Sequence, residues 1–472
     1  MITMFRETFL ELVGNSAKYQ TEFKKLLGEL IKHPSVAFRE PEGISNCADN
    51  LVEILEKFGY QAKLYPTVPD GASVVYGERN VGALKTILFY HHYDVQPEDP
   101  LDLWESSPWK LEERNGRLYG RGTADDKGEI LISLFGMQLL EDQFGKLPIN
   151  VKFVIEGEEE AGSDHLQVFT DKHSDLLKAD GCIWEGAVLT PEDEEKFNFA
   201  TPVELVCGLK GDAYFDIKTI GPPKFPRTDV HSGEAAATPN AAWYLVWALS
   251  TLKDQNENIL IEGINELVQD PSTEDLEVLK TIGTSWEELF KKDLNLEKIL
   301  LDRSGIELHT ELSLKPSLTI TGLKSGFQEE GSKTIVPAEA SAKLDFRLVP
   351  NLTMEKVDEL LKQHFQKHGF DDLEVKLIVG YNPSKTSVNH PFIRLLKEIS
   401  DDINISHPTN IVPIAYGSGP AYLFTPYTPI CFVGNAIGGC NGHAPNENIP
   451  IKSINSSIAY NAIIAKQLAK EK

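Results

Sequence analysis

The alternation of helix-like and strand-like segments limits the folds open to this 472-residue sequence more than any other feature. Apolar residues at helical spacing, as in TEFKKLLGELIKH, alternate with short apolar runs such as TILFYHH and NVKFVIEG, which are typical of buried strands. Alternating helices and strands fold into a largely parallel sheet that helices cover. The sequence therefore predicts an α/β domain.

The alternation stops near residue 210 and resumes near residue 385. In between, AYFDIKTIG alternates apolar and polar residues, as a strand with one solvated face does. The later segment HPFIRLLKEIS returns to the earlier pattern. We therefore predict an α/β domain in two chain segments, 1–210 and 385–472, and an α+β domain inserted as residues 211–384.

The composition excludes several classes of partner. With 71 acidic and 46 basic side chains the formal net charge is -25, which repels nucleic-acid phosphates and anionic lipid surfaces. No apolar run is long enough to span a bilayer, and charged residues interrupt the N-terminal segment where a signal peptide would be apolar. The five cysteines are scattered and form no CxxC pair. We therefore expect a cytoplasmic protein with no nucleic-acid or membrane partner.

Polar residues follow the predicted strands at the positions where α/β sheets bind ligands. In HHYDVQP, His92 and Asp94 are two residues apart, so on extended backbone their side chains point the same way. Asp94 could then accept the second ring N–H of His92, as the carboxylate partner of a metal-bound histidine does. The alternative is a histidine that ends a strand in a hydrogen-bonded turn.

A second cluster, GRGTADDKGE, combines glycines with two adjacent aspartates before a predicted helix that begins near Asp126. Asp125 is placed to reach into a site at the strand ends. Because aspartate is also preferred at a helix N-cap, capping is the alternative. The two interpretations are compatible, since one aspartate can cap the helix while the other binds metal.

The remaining candidates are glutamates and one histidine near later predicted strands. VIEGEEEAGS places Glu159 and Glu160 in a turn flanked by glycines. Neighbouring carboxylates resist ionising together unless a cation compensates, so one could bind metal while the other stays free as a base. Glu185 ends a strand in CIWEG, and His443 lies in the loop GGCNGHAPNE. A solvated acidic surface and an ordinary loop histidine are the alternatives.

Together these candidates offer two histidines, several carboxylates and no thiolate. This donor set suits zinc, manganese or cobalt rather than a zinc site built from cysteines. A carboxylate shared by two ions about 3.5–4 Å apart is the usual arrangement of two-metal hydrolases. The sequence therefore predicts a hydrolytic centre with two divalent metal ions.

The order and spacing of HYDVQP, GRGTADDKG, EGEEEAGS, the acid of CIWEG and the late GH resemble a known family. It is the family of co-catalytic zinc peptidases that includes aminoacylase, acetylornithine deacetylase, succinyl-diaminopimelate desuccinylase and carnosine dipeptidase. The resemblance covers nearly the whole chain. It implies a zinc-peptidase-type catalytic domain with a mixed sheet covered by helices, an inserted lid and dimerisation domain, and a homodimer.

The resemblance also implies a role for each candidate. Asp125 would bridge the two metal ions, and Glu159 would be the general base. Asp94 would orient His92. The terminal ligands would be His92 and Glu185 at one ion, and Glu160 and His443 at the other. The peptide between Asp125 and Asp126 would be cis.

In the second domain, the resemblance implies roles for four residues. His231, in DVHSGE, would stabilise the oxyanion in the active site of the partner subunit. Arg347, in LDFRLVP, would bind the substrate carboxylate, as a bidentate guanidinium can. Gly417 and Ser418, in GSGP, would lie near the same carboxylate. The alternatives are a turn histidine for His231 and an ion pair within the sheet for Arg347.

These observations predict a metal-dependent hydrolase that cleaves the peptide bond of dipeptides or short peptides. The alternative activity is that of an N-acyl-amino-acid deacylase or carboxypeptidase, and the non-enzymatic alternative is an inactive metal-binding subunit. Two features conflict over the substrate. The long insert in the second domain favours the dipeptidase branch, whereas Glu185 stands where dipeptidase-like members usually carry aspartate.

Overall fold

The computed structural model describes residues 4–192, 199–282, 285–435 and 438–471. The chain forms two compact units, which we call unit 1 and unit 2. Unit 1 consists of Met1–Gly208, Thr386–Pro413 and Leu423–Lys472, and unit 2 of Leu209–Lys385 and Ile414–Tyr422. The sequence grouped residues 414–422 with the catalytic domain, whereas here they belong to unit 2. The assignment of the two units as catalytic and lid domains stays a prediction.

The helices and strands are numbered in chain order. The α-helices are α1 (Met4–Ser16), α2 (Gln20–Ile31), α3 (Pro41–Lys57), α4 (Lys127–Phe144), α5 (Leu166–His173), α6 (Ala241–Leu249), α7 (Ile264–Leu267), α8 (Thr273–Leu279), α9 (Ser285–Asp293), α10 (Gly305–Leu314), α11 (Met354–Lys367), α12 (Pro391–Ile403) and α13 (Ile451–Leu468). Within the described ranges, none of them combines the length and apolar character needed to cross a bilayer.

The strands follow the same numbering. They are β1 (Gln61–Tyr65), β2 (Val74–Arg79), β3 (Thr86–His92), β4 (Glu112–Arg114), β5 (Arg117–Tyr119), β6 (Asn150–Glu156), β7 (Gly181–Val188), β8 (Glu204–Val206), β9 (Gly211–Thr219), β10 (Val230–His231), β11 (Ser317–Ser325), β12 (Ile335–Val336), β13 (Ala340–Leu348), β14 (Leu373–Tyr381), β15 (Asn410–Val412), β16 (Ile430–Gly434) and β17 (Asn448–Pro450). The predicted strands TILFYHH and NVKFVIEG correspond to β3 and β6.

The central sheet of unit 1 has eight strands among the described residues, in the order β1-β2-β6-β3-β7-β16-β8-β15. Its four middle strands, β6, β3, β7 and β16, run parallel. The pairings β1–β2, β2–β6 and β8–β16 are antiparallel, so the predicted mixed sheet is confirmed. Because the carboxyl ends of parallel neighbours meet at one edge, side chains at the ends of the four middle strands come together.

Two buried helices hold β7 in this sheet. The sequence of α4 is apolar on nearly all sides, which is typical of a buried helix, and α4 and α13 contact β7 and each other. They approach closely at Gly136, where an added Cβ would lie 2.8 Å from the Cβ of Asn461. The Asn461 side-chain amide also donates to the carbonyl oxygen of Ala187 in β7 at 3.2 Å. This packing fixes the strand that carries Glu185.

Unit 2 is built on a four-stranded antiparallel sheet, within the part of the chain described, in the order β11-β13-β9-β14. Buried and less buried residues alternate along β9 and β13, as expected for strands with one covered face. Phe215 and its neighbours on the covered face pack against α6 and α11. The other face is polar and carries Asp212, Asp216, Asp345 and Arg347.

Candidate metal centre

The candidate ligands of unit 1 meet at the carboxyl edge of the parallel strands. His92 is the last residue of β3, and Glu159 and Glu160 form a short 3-10 turn directly after β6. Glu185 lies in β7, and His443 follows β16 in a loop. The sheet order places these strands side by side, so residues far apart in the sequence share one site.

The Asp125 carboxylate lies between two histidines. Its Oδ1 is 3.0 Å from Nε2 of His92, and its Oδ2 is 2.9 Å from Nε2 of His443. Glu160 Oε2 is 3.1 Å from the same nitrogen of His443. Asp125, Glu160 and His443 can each offer a ligand atom within 4.8 Å of the others. Each oxygen of Asp125 thus faces a different histidine, as a bridging carboxylate requires.

The position of Glu185 differs from the prediction. The sequence placed Glu185 at the end of a strand, but it lies within β7 at a positive φ of 49°. The pairing of β7 with β16 skips from Trp184 to Ala187, so Glu185 and Gly186 form a β-bulge. A bulge turns one side chain out of the regular alternation, which explains how a residue inside a strand faces the site.

Asp94 holds the turn that carries both glutamates. Its Oδ1 accepts the N–H of Glu159 at 3.1 Å, and its Oδ2 accepts the N–H of Glu160 at 2.9 Å. The ring of His92 is nearer to the backbone of Asp94 than to its carboxylate: Nδ1 is 3.1 Å from the carbonyl oxygen and 3.5 Å from Oδ1. Asp94 therefore positions the turn with its side chain and the histidine mainly with its backbone.

The carboxylates of this cluster raise the pKa of the two histidines that lie among them. Hydrogen bonds with Asp125 and Glu160 raise the pKa of His443 to about 10. Burial opposes protonation of His92, yet its hydrogen bonds with Asp125 and Asp94 raise its pKa well above the ordinary value. Burial raises the pKa of Glu159 to about 7, and the neighbouring carboxylates add to this effect. Carboxylates and imidazoles gathered in this way fit divalent cations.

The donor set has the composition that two divalent ions require. Two imidazoles and the carboxylates of Asp125, Glu160 and Glu185 would hold them, with no cysteine among the donors. Desolvation raises the pKa of Glu185 well above its usual range, and the Glu159 carboxylate adds to the rise. A nearby cation would remove this penalty, because it stabilises the charged form of both groups.

Metal binding is expected to release protons and to become tighter as the pH rises. His443, with a pKa of about 10 in the metal-free protein, is protonated near neutral pH, and only neutral imidazole binds a metal. Each proton released makes the apparent affinity rise about tenfold per pH unit below that pKa. Titration calorimetry of zinc binding in buffers of different ionisation enthalpy measures the release. An affinity that stays constant between about pH 6 and 8 would contradict the assignment of His443 as a ligand.

Glu447, which is not one of the predicted site residues, holds the turn before α4. This buried carboxylate accepts the N–H groups of Gly122 at 3.0 Å, Ala124 at 2.9 Å and Asp125 at 3.1 Å. It also pairs with the buried guanidinium of Arg121 at 2.9 Å. Its only sequence signal is its place four residues after His443. One short segment thus contains a candidate ligand, His443, and the carboxylate that holds a second candidate ligand, Asp125.

Asp126 does not cap α4 with its side chain, so the capping alternative is wrong for this residue. Its Oδ2 instead accepts the backbone N–H of His92 at 2.9 Å and lies 2.8 Å from Nδ1 of His91. The other ring nitrogen of His91 is 3.0 Å from Oγ of Ser133. The peptide between Asp125 and Asp126 is cis, as the resemblance implies. His91, which was not among the predicted site residues, thus helps to hold Asp126 and the turn before α4.

The other candidate residues lie in unit 2. His231 is exposed, and its Nδ1 accepts the N–H of Gly233 at 3.0 Å, which places the ring proton on Nε2. Arg347 donates from Nη1 to Oγ of Ser418 at 2.9 Å. Gly417 is exposed beside Ser418. The structure therefore brings Arg347 and Ser418 together and leaves Nε2 of His231 as a donor.

Comparison with known proteins identifies the family. Residues 88–467 match the family described as peptidase family M20/M25/M40. The chain belongs to this family. Among solved structures, an M20 family metallo-carboxypeptidase from Sulfolobus solfataricus is 36% identical, with a TM-score of 0.80, over 95% of this chain and all of that one (100%). Human carnosine dipeptidase 1, at 24% identity and a TM-score of 0.72, shares the fold over 98% of this chain and 100% of that chain.

Membership of the M20/M25/M40 peptidases confirms the resemblance found from the motifs. Among curated relatives, the Beta-Ala-His dipeptidase of Rattus norvegicus is 31% identical over 310 residues, which are 64% of this chain. The match spans 61% of the length of the rat protein. The substrate of this M20 family member must therefore be argued from its own site.

Proposed function

We propose that this M20 family member is a metal-dependent hydrolase that cleaves the peptide bond of dipeptides or short peptides next to a free carboxylate. The observation that carries the proposal is the Asp125 carboxylate, which turns one oxygen toward His92 and the other toward His443. A carboxylate placed in this way can bridge two divalent ions. The 31% identical relative from Rattus norvegicus is named as a Beta-Ala-His dipeptidase, which supports the choice of substrate.

Bound divalent ions would supply Lewis-acid polarisation of the substrate carbonyl and a more acidic water. The protein itself moves the proton. Glu159 takes the proton of the attacking water on its carboxylate and delivers it to the leaving amine nitrogen. Burial raises the pKa of Glu159 and bound cations would lower it again, so the carboxylate would be ionised and able to accept the proton of water. The Asp94 carboxylate holds Glu159 in place through its backbone N–H.

Unit 2 supplies the remaining groups of the proposed mechanism. His231 donates from Nε2 to the oxyanion that forms when water attacks the carbonyl, and it does so in the active site of the partner subunit of a homodimer. Arg347 binds the free carboxylate of the substrate, because a guanidinium matches carboxylate geometry. Ser418 supports Arg347 from the Nη1 side, and Gly417 leaves open space next to it.

Zinc is the proposed metal, with manganese or cobalt as alternatives that the same nitrogen and carboxylate donors accept. The five cysteines Cys47, Cys182, Cys207, Cys431 and Cys440 are free thiols. Free thiols support a reducing compartment, and the cytoplasm is the proposed location.

Carboxypeptidase or deacylase activity is the second candidate function. Two points favour it. The resemblance implies aspartate at the position of Glu185 in dipeptidase-like members, and the 36% identical protein of known structure is named as a metallo-carboxypeptidase. Both activities would use the same base and the same metal ligands. They differ in what lies on the amino side of the scissile bond.

Hydrolysis of a mixed library of dipeptides, longer peptides and N-acyl amino acids tests the proposal. We expect two metal ions per chain, turnover of dipeptides, and loss of turnover after chelation that zinc or manganese restores. The assay measures released amino acids together with metal content. A matched set of dipeptides with amidated C-termini shows whether the free carboxylate is required.

Each outcome separates the candidates. Cleavage of N-acyl amino acids or longer peptides, but of no dipeptide, would move the chain to the second candidate. Two bound ions without turnover of any substrate would leave a metal-binding subunit that is not an enzyme.

A further inference from the structure

Two aspartates lie beside Arg347 on the polar face of the unit 2 sheet. Arg347 and Asp345 are both on β13 and point to the same face, because side chains two residues apart in a strand share a face. Asp212, on β9, is the cross-strand partner of Arg347 in the antiparallel pairing. The guanidinium that the proposed function assigns to the substrate carboxylate therefore lies among acidic side chains.

Arg347 is held at both ends of its guanidinium. Nη2 donates to Oδ2 of Asp345 at 2.9 Å, and Nη1 donates to Oγ of Ser418 at 2.9 Å. Each bond uses one N–H of a terminal nitrogen, whereas an arginine has five N–H groups in all. Two single-point anchors fix the plane of the guanidinium and leave N–H groups for a ligand. The side chain of Arg347 is 34% exposed, so a ligand can reach it.

The carboxylate of Asp345, which accepts from Arg347, lies close to a second acid, Asp212. Oδ1 of Asp345 and Oδ1 of Asp212 are both buried without a hydrogen-bond partner within the described ranges. Burial raises the pKa of Asp212 to about 6; Arg347 opposes this rise and the Asp345 carboxyl adds to it. When Asp212 is protonated, its proton can give both oxygens a partner, as in other close pairs of acids.

We propose that Asp345 is a positioning residue whose carboxylate, supported by Asp212, fixes the guanidinium of Arg347 in the orientation that accepts the substrate's free carboxylate. The inference rests on the proposed function, in which Arg347 binds that carboxylate. Asp345 accepts a hydrogen bond from a single nitrogen of the guanidinium. It can therefore orient the group without using both donors of an edge that could bind a carboxylate at two points. Orientation before binding strengthens affinity, because less freedom is lost when the substrate arrives.

The test is Asp345→Ala, assayed with one dipeptide as the free acid and as its C-terminal amide. We expect KM for the free acid to rise about tenfold, with kcat within about twofold, because one charge-assisted anchor is lost. KM for the amide should not change. Asp345→Asn keeps a side-chain oxygen for Nη2 and should bring KM for the free acid back to within about threefold of the parent value.

Asp216 offers a matched control on the same polar face. Its side chain is 15% exposed, against 13% for Asp345, and it pairs with Nζ of Lys218 at 2.7 Å rather than with Arg347. Asp216→Ala should leave KM for both substrates unchanged. A merely structural role of Asp345 would instead lower the thermal stability and the kcat for both substrates. If Asp345→Ala does not fold, Asp345→Ser makes the same test, because serine is too short to reach Nη2.

Arg347→Ala separates the two proposals. If it raises KM for the free acid while Asp345→Ala and Asp345→Ser do not, the positioning role is overturned and the proposed function stands. If Arg347→Ala leaves KM for the free acid unchanged, the substrate role of Arg347 in the proposed function fails, and the inference fails with it.

Discussion

Replacing Glu159 by glutamine is expected to lower kcat by about 10²- to 10⁴-fold while metal content stays the same. Glutamine keeps the shape of the side chain but cannot take a proton from water at neutral pH. The backbone N–H of Glu159 remains bonded to Asp94, so the turn should keep its conformation. The loss should therefore appear in the chemical step and not in the fold.

Steady-state kinetics and metal analysis of the purified Glu159→Gln variant measure this effect. Asp125→Asn serves as the contrasting variant, because it weakens the carboxylate that lies between His92 and His443 and should lose metal together with activity. A Glu159→Gln enzyme with nearly full kcat would remove Glu159 as the base. Loss of metal in that variant would make Glu159 a ligand instead.

The second large effect is expected in stability. Glu447→Ala should lower the free energy of unfolding by about 3–5 kcal/mol, because it leaves the buried guanidinium of Arg121 without its carboxylate partner. The N–H groups of Gly122, Ala124 and Asp125 also lose their acceptor. Denaturant unfolding of the metal-free protein, followed by tryptophan fluorescence, measures the change apart from any contribution of bound metal.

Glu113→Ala is the control for this measurement. Glu113 forms a solvent-exposed ion pair with Lys24 at 2.7 Å, and its loss should change stability by no more than about 1 kcal/mol. Equal effects of the two substitutions would show that Glu447 does not hold the turn. We also expect Glu447→Ala to bind metal more weakly, since Asp125 is then free to move.

Individual helices and strands could be predicted wherever burial imposes a regular pattern of apolar residues on the sequence. The helical spacing in TEFKKLLGELIKH and the apolar run in NVKFVIEG identify α2 and β6, because burial of one helix face or of a whole strand dictates those patterns. The polar clusters at the ends of the parallel strands likewise indicated the site, since sheet topology brings such ends together.

What the sequence could not predict depends on pairing between distant segments. The bulge at Glu185 arises from the register of β7 against β16. The sequence of β7 by itself does not contain that register, and it therefore predicted Glu185 at the end of a strand. Glu447 acts on a turn 322 residues earlier in the chain. Asp345 and Asp212 come close only because β13 pairs with β9, where Asp212 lies opposite Arg347. Each of these contacts joins residues that no short motif contains.

The unequal exposure of the two histidines has a kinetic consequence. The side chain of His443 is 58% exposed, whereas that of His92 is 1% exposed. The ring of His443 could therefore release or rebind an ion from the solvent side, whereas the ring of His92 is closed off from solvent by the surrounding protein. The two ions would then bind and leave one after the other, and the protein would pass through a form that holds a single ion. The concentration of exchangeable metal around the protein would then set the fraction of molecules that carry both ions and are active.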